Sequence, residues 1–155
     1  MTRLLFVCLG NICRSPAAEG VARAMAEARG LKVEIDSAGT GGWHAGEPPD
    51  PRMREAAARR GYDLASLRAR QLRRADFADF DHLLAMDKDN LATLERARPA
   101  DARATLSLML SHAPALPERE VPDPYYGGPG GFEHVLDLLE PSVAGLLDRV
   151  EAEGR

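Results

Sequence analysis

Eight residues near the start of the chain, Cys8-Leu9-Gly10-Asn11-Ile12-Cys13-Arg14-Ser15, constrain the fold more than any others. They join a short apolar run, Arg3 to Val7, to a stretch that opens Ser15-Pro16-Ala17-Ala18-Glu19. The run reads as a buried strand. The stretch reads as a helix start, with Ser15 as N-cap and Pro16 at the first helical position, where a missing N–H costs nothing. That helix is expected to reach Ala28 and stop at Gly30, and Lys32 to Ile35 alternates like a second strand. Strand, loop, helix and strand within about 35 residues fit a right-handed parallel crossover. The chain is therefore expected to fold as an α/β domain.

The remaining elements follow by the same signals. Asp50-Pro51 offers another cap and first-turn proline, for a helix that Gly61 can stop. Leu83 to Met86 reads as a buried strand, Lys88 to Ala97 as a helix and Thr105 to Leu110 as a fourth strand. Helical periodicity runs from Phe132 to Val150, with a kink or break expected at Pro141. Two Gly/Pro-rich segments, Gly39 to Pro51 and Ala113 to Gly131, are long connections of the kind that carry function.

Bulk properties exclude several classes. With 155 residues, 45% of them hydrophobic and 28% charged, the chain suits one domain with one well-filled core, spanning 1–155. The apolar run Leu4 to Leu9 is far short of the roughly 20 residues of a membrane span, and no basic-then-apolar leader opens the chain. Neither a membrane nor export is expected. A net charge of −4 and no basic cluster interleaved with aromatics argue against nucleic acid. Arg68, Arg70, Arg73 and Arg74 form the nearest approach to such a cluster and read as a solvated turn or as substrate steering. Two cysteines five apart make neither a zinc site nor a disulfide framework, so a reduced, cytoplasmic protein is the simpler reading.

The loop between strand and helix sits where parallel sheets bind ligands. Successive N–H groups in such a turn point inward and form an anion nest, to which the helix dipole adds roughly +0.5 charge. Gly10 can adopt a positive φ, and Asn11 tolerates one better than most residues. Cys8 would aim its sulfur into the nest, where the same amides favour thiolate, and Ser15 could donate to it. Ionisation alone gains only about 30-fold at neutral pH. The larger effect belongs to Arg14 and the loop amides, which match the charge spread over a transferring phosphoryl group. Cysteine, five residues, arginine is the spacing that wraps one phosphate-sized loop. Cys13 reads either as a packing residue or as a partner that forms a reversible disulfide with an oxidised Cys8.

These residues resemble the low-molecular-weight protein tyrosine phosphatases over nearly the whole chain. VCLGNICRSPAAE resembles that family's catalytic loop and first helix, and Asp123-Pro124-Tyr125-Tyr126-Gly127 its late general-acid loop. Asp36-Ser37-Ala38-Gly39-Thr40, Trp43, Asp50-Pro51-Arg52, Arg70-Gln71 and Met86-Asp87 with Asn90 follow in the family's order. The resemblance implies a four-stranded parallel sheet flanked by helices on both faces, with no metal and no cofactor. It implies Cys8 as nucleophile and Arg14 with the loop residues Leu9, Gly10, Asn11, Ile12, Cys13 and Ser15 as the cradle for a phosphate or sulfate ion. Asp123 becomes the acid that protonates the leaving phenolate and then the base that activates water. Trp43, Tyr125 and Tyr126 become the walls of a slot deep enough for phosphotyrosine, and Asn11 and Ser37 hold the loop in shape. Many relatives brace that asparagine with a histidine where this chain has Leu67. His44 stays outside the expected set.

Related folds act differently. Thiol-dependent arsenate reductases need two further cysteines, absent here. Protein-arginine phosphatases tend to carry threonine at the position of Ile12 and a phenylalanine, with no second aromatic, at that of Tyr125-Tyr126, so tyrosine is favoured. A non-catalytic phosphotyrosine-binding module needs neither a nucleophile nor an acid. The expected partners are phosphotyrosine proteins, a tyrosine kinase being one candidate, and the expected state is a monomer.

Overall fold

The structure, a computed structural model, describes residues 1–125, 127–128 and 130–154. Strand β1 (Thr2–Cys8) lies between β2 (Val33–Gly39) and β3 (His82–Ala85), and β4 (Thr105–Leu108) flanks β3. All pairings are parallel, with Cys8 opposite Gly39 and Val7 opposite Ala85 at the carboxyl end. Helices α1 (Arg14–Arg29), α2 (Pro51–Arg59), α3 (Asp76–Asp79), α4 (Lys88–Ala97) and α5 (Gly130–Glu153) complete the four-stranded α/β fold.

Strand β1 is buried on both faces because its side chains alternate between two apolar layers. Leu4, Phe6 and Cys8 join a cluster with residues of α1, α2 and α5, whereas Leu5 and Val7 join Phe77 of α3 and Leu94 of α4. The order β2-β1-β3-β4 also means that the chain leaves β1 toward one neighbour and later returns to the other. The carboxyl end of β1 is thus a topological switch point, where the crossovers diverge and leave a crevice. Cys8 ends that strand.

Element boundaries depart from expectation for identifiable reasons. Helix α1 starts at Arg14 with Cys13 at the N-cap position and no side-chain cap, because the Ser15 hydroxyl is engaged inside the loop. Gly30, at φ 63°, closes it as expected. Strand β2 continues past Ile35 to Gly39, its small and polar end hiding the strand pattern while pairing extends to Cys8. Strand β3 begins and ends one residue earlier than expected, and β4 stops at Leu108, beyond which β3 offers no partner. Residues Met109–His112 then form a 3₁₀ turn. Helix α5 runs through Pro141 without a break. The lost backbone bond and ring clash cost about 3 kcal/mol, but Val135, Leu139, Val143, Leu146 and Leu147 are fully buried along the same helix. Each contributes about 1.5–3 kcal/mol, so the stripe outweighs the proline.

Candidate active site

The loop between β1 and α1 closes on itself around the Cys8 side chain. Cys8 is only 2% exposed, yet it lines the floor of a pocket of about 290 Å³. Its Sγ lies 2.9 Å from Ser15 Oγ. Asn11 has φ 58°, the only positive φ of a non-glycine among the described residues. The β2 terminus supports the loop from outside: Thr40 N–H donates to the Cys8 carbonyl and Gly41 N–H to that of Leu9, both at 2.9 Å. A Cβ on Gly39 would stand 2.9 Å from the Leu9 and Gly41 oxygens, so only glycine lets the two segments approach this closely.

A buried polar chain fixes both the shape of the loop and the sense of its hydrogen bonds. The Arg70 backbone N–H, which can only donate, reaches Asn11 Oδ1 at 3.0 Å. That assigns the amide, so Asn11 Nδ2 must donate to Ser15 Oγ at 2.8 Å and Ser37 Oγ at 2.9 Å. Ser15 oxygen is therefore an acceptor toward Asn11, and its own hydrogen remains for the Cys8 sulfur. Ser37 in turn donates to Glu19 Oε1 at 2.7 Å, and Glu19 is held by Arg23 at 2.7 Å. Every donor and acceptor of the Asn11 amide faces these partners, and Leu67 packs against the apolar core instead. The Asn11 amide oxygen is thus braced by the backbone of Arg70, with no part played by the Leu67 side chain.

Arg14 is almost wholly buried and pinned along one edge. Its Nη1 donates to Asp87 Oδ2 at 2.6 Å and to the Val121 carbonyl at 3.1 Å. Burial opposes its charge, but the Cys8 sulfur, the Asp87 bond and the Asp87 and Asp123 charges outweigh that, so its pKa is raised. Asp87 is itself fixed, as N-cap of α4 accepting from Asn90 N at 2.7 Å. The Nε and Nη2 atoms of Arg14 make no hydrogen bond among the described residues, and Asp123 Oδ2 stands 3.7 Å from Nη2. That free edge is the one a tetrahedral oxyanion could take bidentately. The Asp123 side chain is 41% exposed, and Arg14 and Asp123 line the same pocket as Cys8.

Leu9, Gly10, Ile12, Cys13, Trp43, His44 and Tyr125 complete that lining. Trp43 is 64% exposed, its ring seated against Gly41, where a Cβ would fall 1.8 Å from a ring carbon. Trp43 and Tyr125 flank His44, with ring centroids 6.2 and 6.5 Å from it. His44 Nδ1 pairs with Glu47 at 2.9 Å, so a histidine left out of the expected set lies on the pocket wall. Tyr126, expected as another wall, lies outside the described residues. Cys13 is buried, and that burial, with the Asp50 and Cys8 charges, pushes its thiol pKa far up. It stands as a neutral thiol beside Cys8, while Asn11, Ser15 and Ser37 form a polar chain behind the Cys8 sulfur.

Other residues take roles that sequence reasoning did not assign. Arg70 is no solvated charge: it bonds Asp36 at 3.0 Å and the fully buried Asp76 at 3.0 Å, while its backbone holds Asn11. Asp87 reaches the site from α4, far along the chain, where no local spacing signals it, and Glu19, one turn after Ser15 on α1, supports the site through Ser37. Among the described residues, no cluster of three or more His, Cys, Asp or Glu side chains is arranged to hold a metal ion.

Comparison with known proteins shows the family. The family model described as low molecular weight phosphotyrosine protein phosphatase matches residues 3–155. A low molecular weight protein-tyrosine-phosphatase of Streptomyces coelicolor is 47% identical over 160 residues, covering 99% of this chain and 97% of its own. The crystal structure of a protein tyrosine phosphatase from Entamoeba histolytica, with Hepes in the active site, superposes with a TM-score of 0.94 at 41% identity, over 100% of both chains. A Drosophila arginine phosphatase superposes with a TM-score of 0.90 at 30% identity, over 97% of this chain and 98% of its own.

Proposed function

The chain belongs to the low molecular weight phosphotyrosine protein phosphatases, and from that premise we propose that it hydrolyses phosphotyrosine in proteins through a cysteinyl-phosphate on Cys8. The observation that carries the reading is one pocket with a sulfur at its floor, a guanidinium edge without hydrogen bonds among the described residues beside it, and a carboxyl group 3.7 Å from that edge.

In the first step Cys8 Sγ attacks phosphorus as the bond to the phenolic oxygen breaks, and Asp123 gives its proton to that oxygen. Arg14 and the loop amides hold the equatorial oxygens, where charge is spread in the transition state. In the second step Asp123, now a carboxylate, takes a proton from water, whose oxygen attacks phosphorus and releases Cys8 and phosphate. Ser15 stabilises the departing and returning sulfur anion. Trp43 and Tyr125 clasp the substrate ring. The scheme uses only protein groups and water. Phosphotyrosine proteins are the substrates, a tyrosine kinase among the candidates, and the enzyme works as a single-domain monomer in the cytoplasm, where both cysteines stay reduced. No helix among the described residues is long and apolar enough to cross a membrane.

Hydrolysis of a phosphotyrosine peptide and of p-nitrophenyl phosphate, without added metal, tests the proposal. Cys8→Ser is expected to abolish both reactions. Asp123→Ala is expected to lose about 10²–10⁴-fold on phosphotyrosine and much less on an ester with a good leaving group. Turnover surviving Cys8→Ser, or equal losses on the two esters for Asp123→Ala, refutes the mechanism.

A further inference from the structure

Asp123 lies on an irregular segment, and a proton donor displaced by about 1 Å loses much of its effect. Anchors at both its ends hold the segment. Upstream, the Val121 backbone is fixed on both sides, its N–H on the Met86 carbonyl at 2.8 Å and its carbonyl under Arg14 at 3.1 Å. Downstream, the Tyr125 N–H donates to Asp123 Oδ1 at 3.0 Å, and the Tyr125 carbonyl accepts from Arg52 Nη2 at 3.1 Å.

Arg52 is not free to follow Tyr125. Its guanidinium is chelated by the Asp50 carboxylate, at 3.1 Å through Nε and 2.9 Å through Nη2, and it lies over the rings of Tyr125 and buried Phe132 at 5.5 and 4.8 Å. Asp50 is buried and caps α2, accepting from Arg52 N at 2.8 Å, and its own N–H donates to the Ile12 carbonyl at 2.8 Å. The Arg52 side-chain bond is the first cause of the lowered Asp50 pKa, so the pair stays charged. A continuous path thus runs from the phosphate loop at Ile12, through Asp50 and Arg52, to Tyr125 and Asp123.

We propose that Arg52 is a positioning residue for proton transfer: it ties the segment bearing Asp123 to the phosphate loop and so sets the height of the carboxyl group above the sulfur. The proposal rests on the reading of Asp123 as general acid. Arg52 does not line the pocket that holds Cys8 and Arg14. Its loss therefore acts on protonation of the leaving group and leaves phosphate binding alone. Lysine keeps the charge between Asp50 and the rings and retains one donor for the Tyr125 carbonyl. Methionine keeps bulk over the rings but has neither.

The test compares wild type, Arg52→Met and Arg52→Lys on phosphotyrosine and on 2,4-dinitrophenyl phosphate, whose leaving group needs no proton. Arg52→Met is expected to lose about tenfold in kcat/KM on phosphotyrosine, which reports departure of the leaving group and not the later attack of water, one decade of the 10²–10⁴ that a general acid supplies, with little change in kcat/KM on the dinitrophenyl ester. Competitive inhibition by inorganic phosphate is expected to be unchanged, and Arg52→Lys to recover most of the loss. Amide exchange gives a readout independent of turnover. In Arg52→Met the Tyr125 and Gly127 amides should exchange faster while that of Val121 keeps its protection. Equal losses on both esters, weakened phosphate inhibition, or unchanged exchange at Tyr125 and Gly127 would overturn the proposal. A wild type inactive on both esters would instead overturn the proposed function, and the exchange comparison would still decide whether Arg52 ties the segment down.

Discussion

Replacing Asn11 separates the cost of its contacts from the cost of its backbone conformation. In Asn11→Ala the Arg70 N–H loses its acceptor, and an orphaned amide costs about 1–3 kcal/mol. The Ser15 and Ser37 hydroxyls each lose one bond but keep another partner, Cys8 and Glu19 respectively, which puts each loss at about 1 kcal/mol. At φ 58° a Cβ without a compensating polar side chain adds about 1–2 kcal/mol. Together these reach about 5 kcal/mol, much of the 5–15 kcal/mol that typically holds a domain together. Asn11→Gly forfeits the same bonds and escapes the last penalty, so it should be more stable than Asn11→Ala by about 1 kcal/mol. At an ordinary position the order is reversed, glycine being worse than alanine by about 0.5–1 kcal/mol. Urea unfolding under reducing conditions reads the three midpoints. Alanine at least as stable as glycine, or both within about 1 kcal/mol of wild type, refutes the claim that Asn11 holds the loop in a strained shape.

Two further outcomes follow from the buried thiol and from a histidine at the end of the 3₁₀ turn that follows β4. Peroxide is expected to inactivate the enzyme in a way that a dithiol reverses, because the Cys13 thiol can displace hydroxide from an oxidised Cys8 and form a disulfide; if Cys13→Ser recovers equally well, Cys13 is only a packing residue. Burial first, then the Arg149 and His82 charges, lower the His112 pKa to about 4. The unfolded chain thus binds the extra proton first, and stability falls as pH drops from about 6.5 to about 4. His112→Gln should flatten that part of a urea-midpoint profile, and an unchanged slope would mean that His112 titrates normally.

The loop and the elements beside it were legible because their signals are local. Apolar run, glycine, cap and proline all fall within a few residues, and helix α4 occupies Lys88–Ala97 as its periodicity indicates. What was hidden depends on pairing across the fold. The polar end of β2 is a strand only because β1 lies beside it, and β4 stops where β3 ends. Ser15 looked like a helix cap because sequence shows a residue's capacity to bond and not its partner; the hydroxyl is claimed by Asn11 and Cys8. Arg70 looked solvated for the same reason. Its counterions, Asp36 and Asp76, come from a strand and a short helix that the topology brings together.

The two halves of the site are supported by different means, and the difference follows from what each must do. In the proposed mechanism the loop around Cys8 has to keep one shape while an anion enters and leaves, and it is backed by a buried polar chain from Glu19 through Ser37 and Asn11 to Ser15, with the exposed Arg23 at its outer end. Inside the protein such bonds are strong and an unmade one is expensive, so the chain resists partial opening. In the same mechanism Asp123 has to exchange protons with a leaving group and then with water, which requires access. Asp123 is accordingly exposed, and its segment is held at its ends, at Val121 and at Tyr125, without being covered. Solvent weakens bonds at the outer anchor, so it is there, at Arg52, that a single substitution can loosen the acid while leaving the phosphate cradle intact.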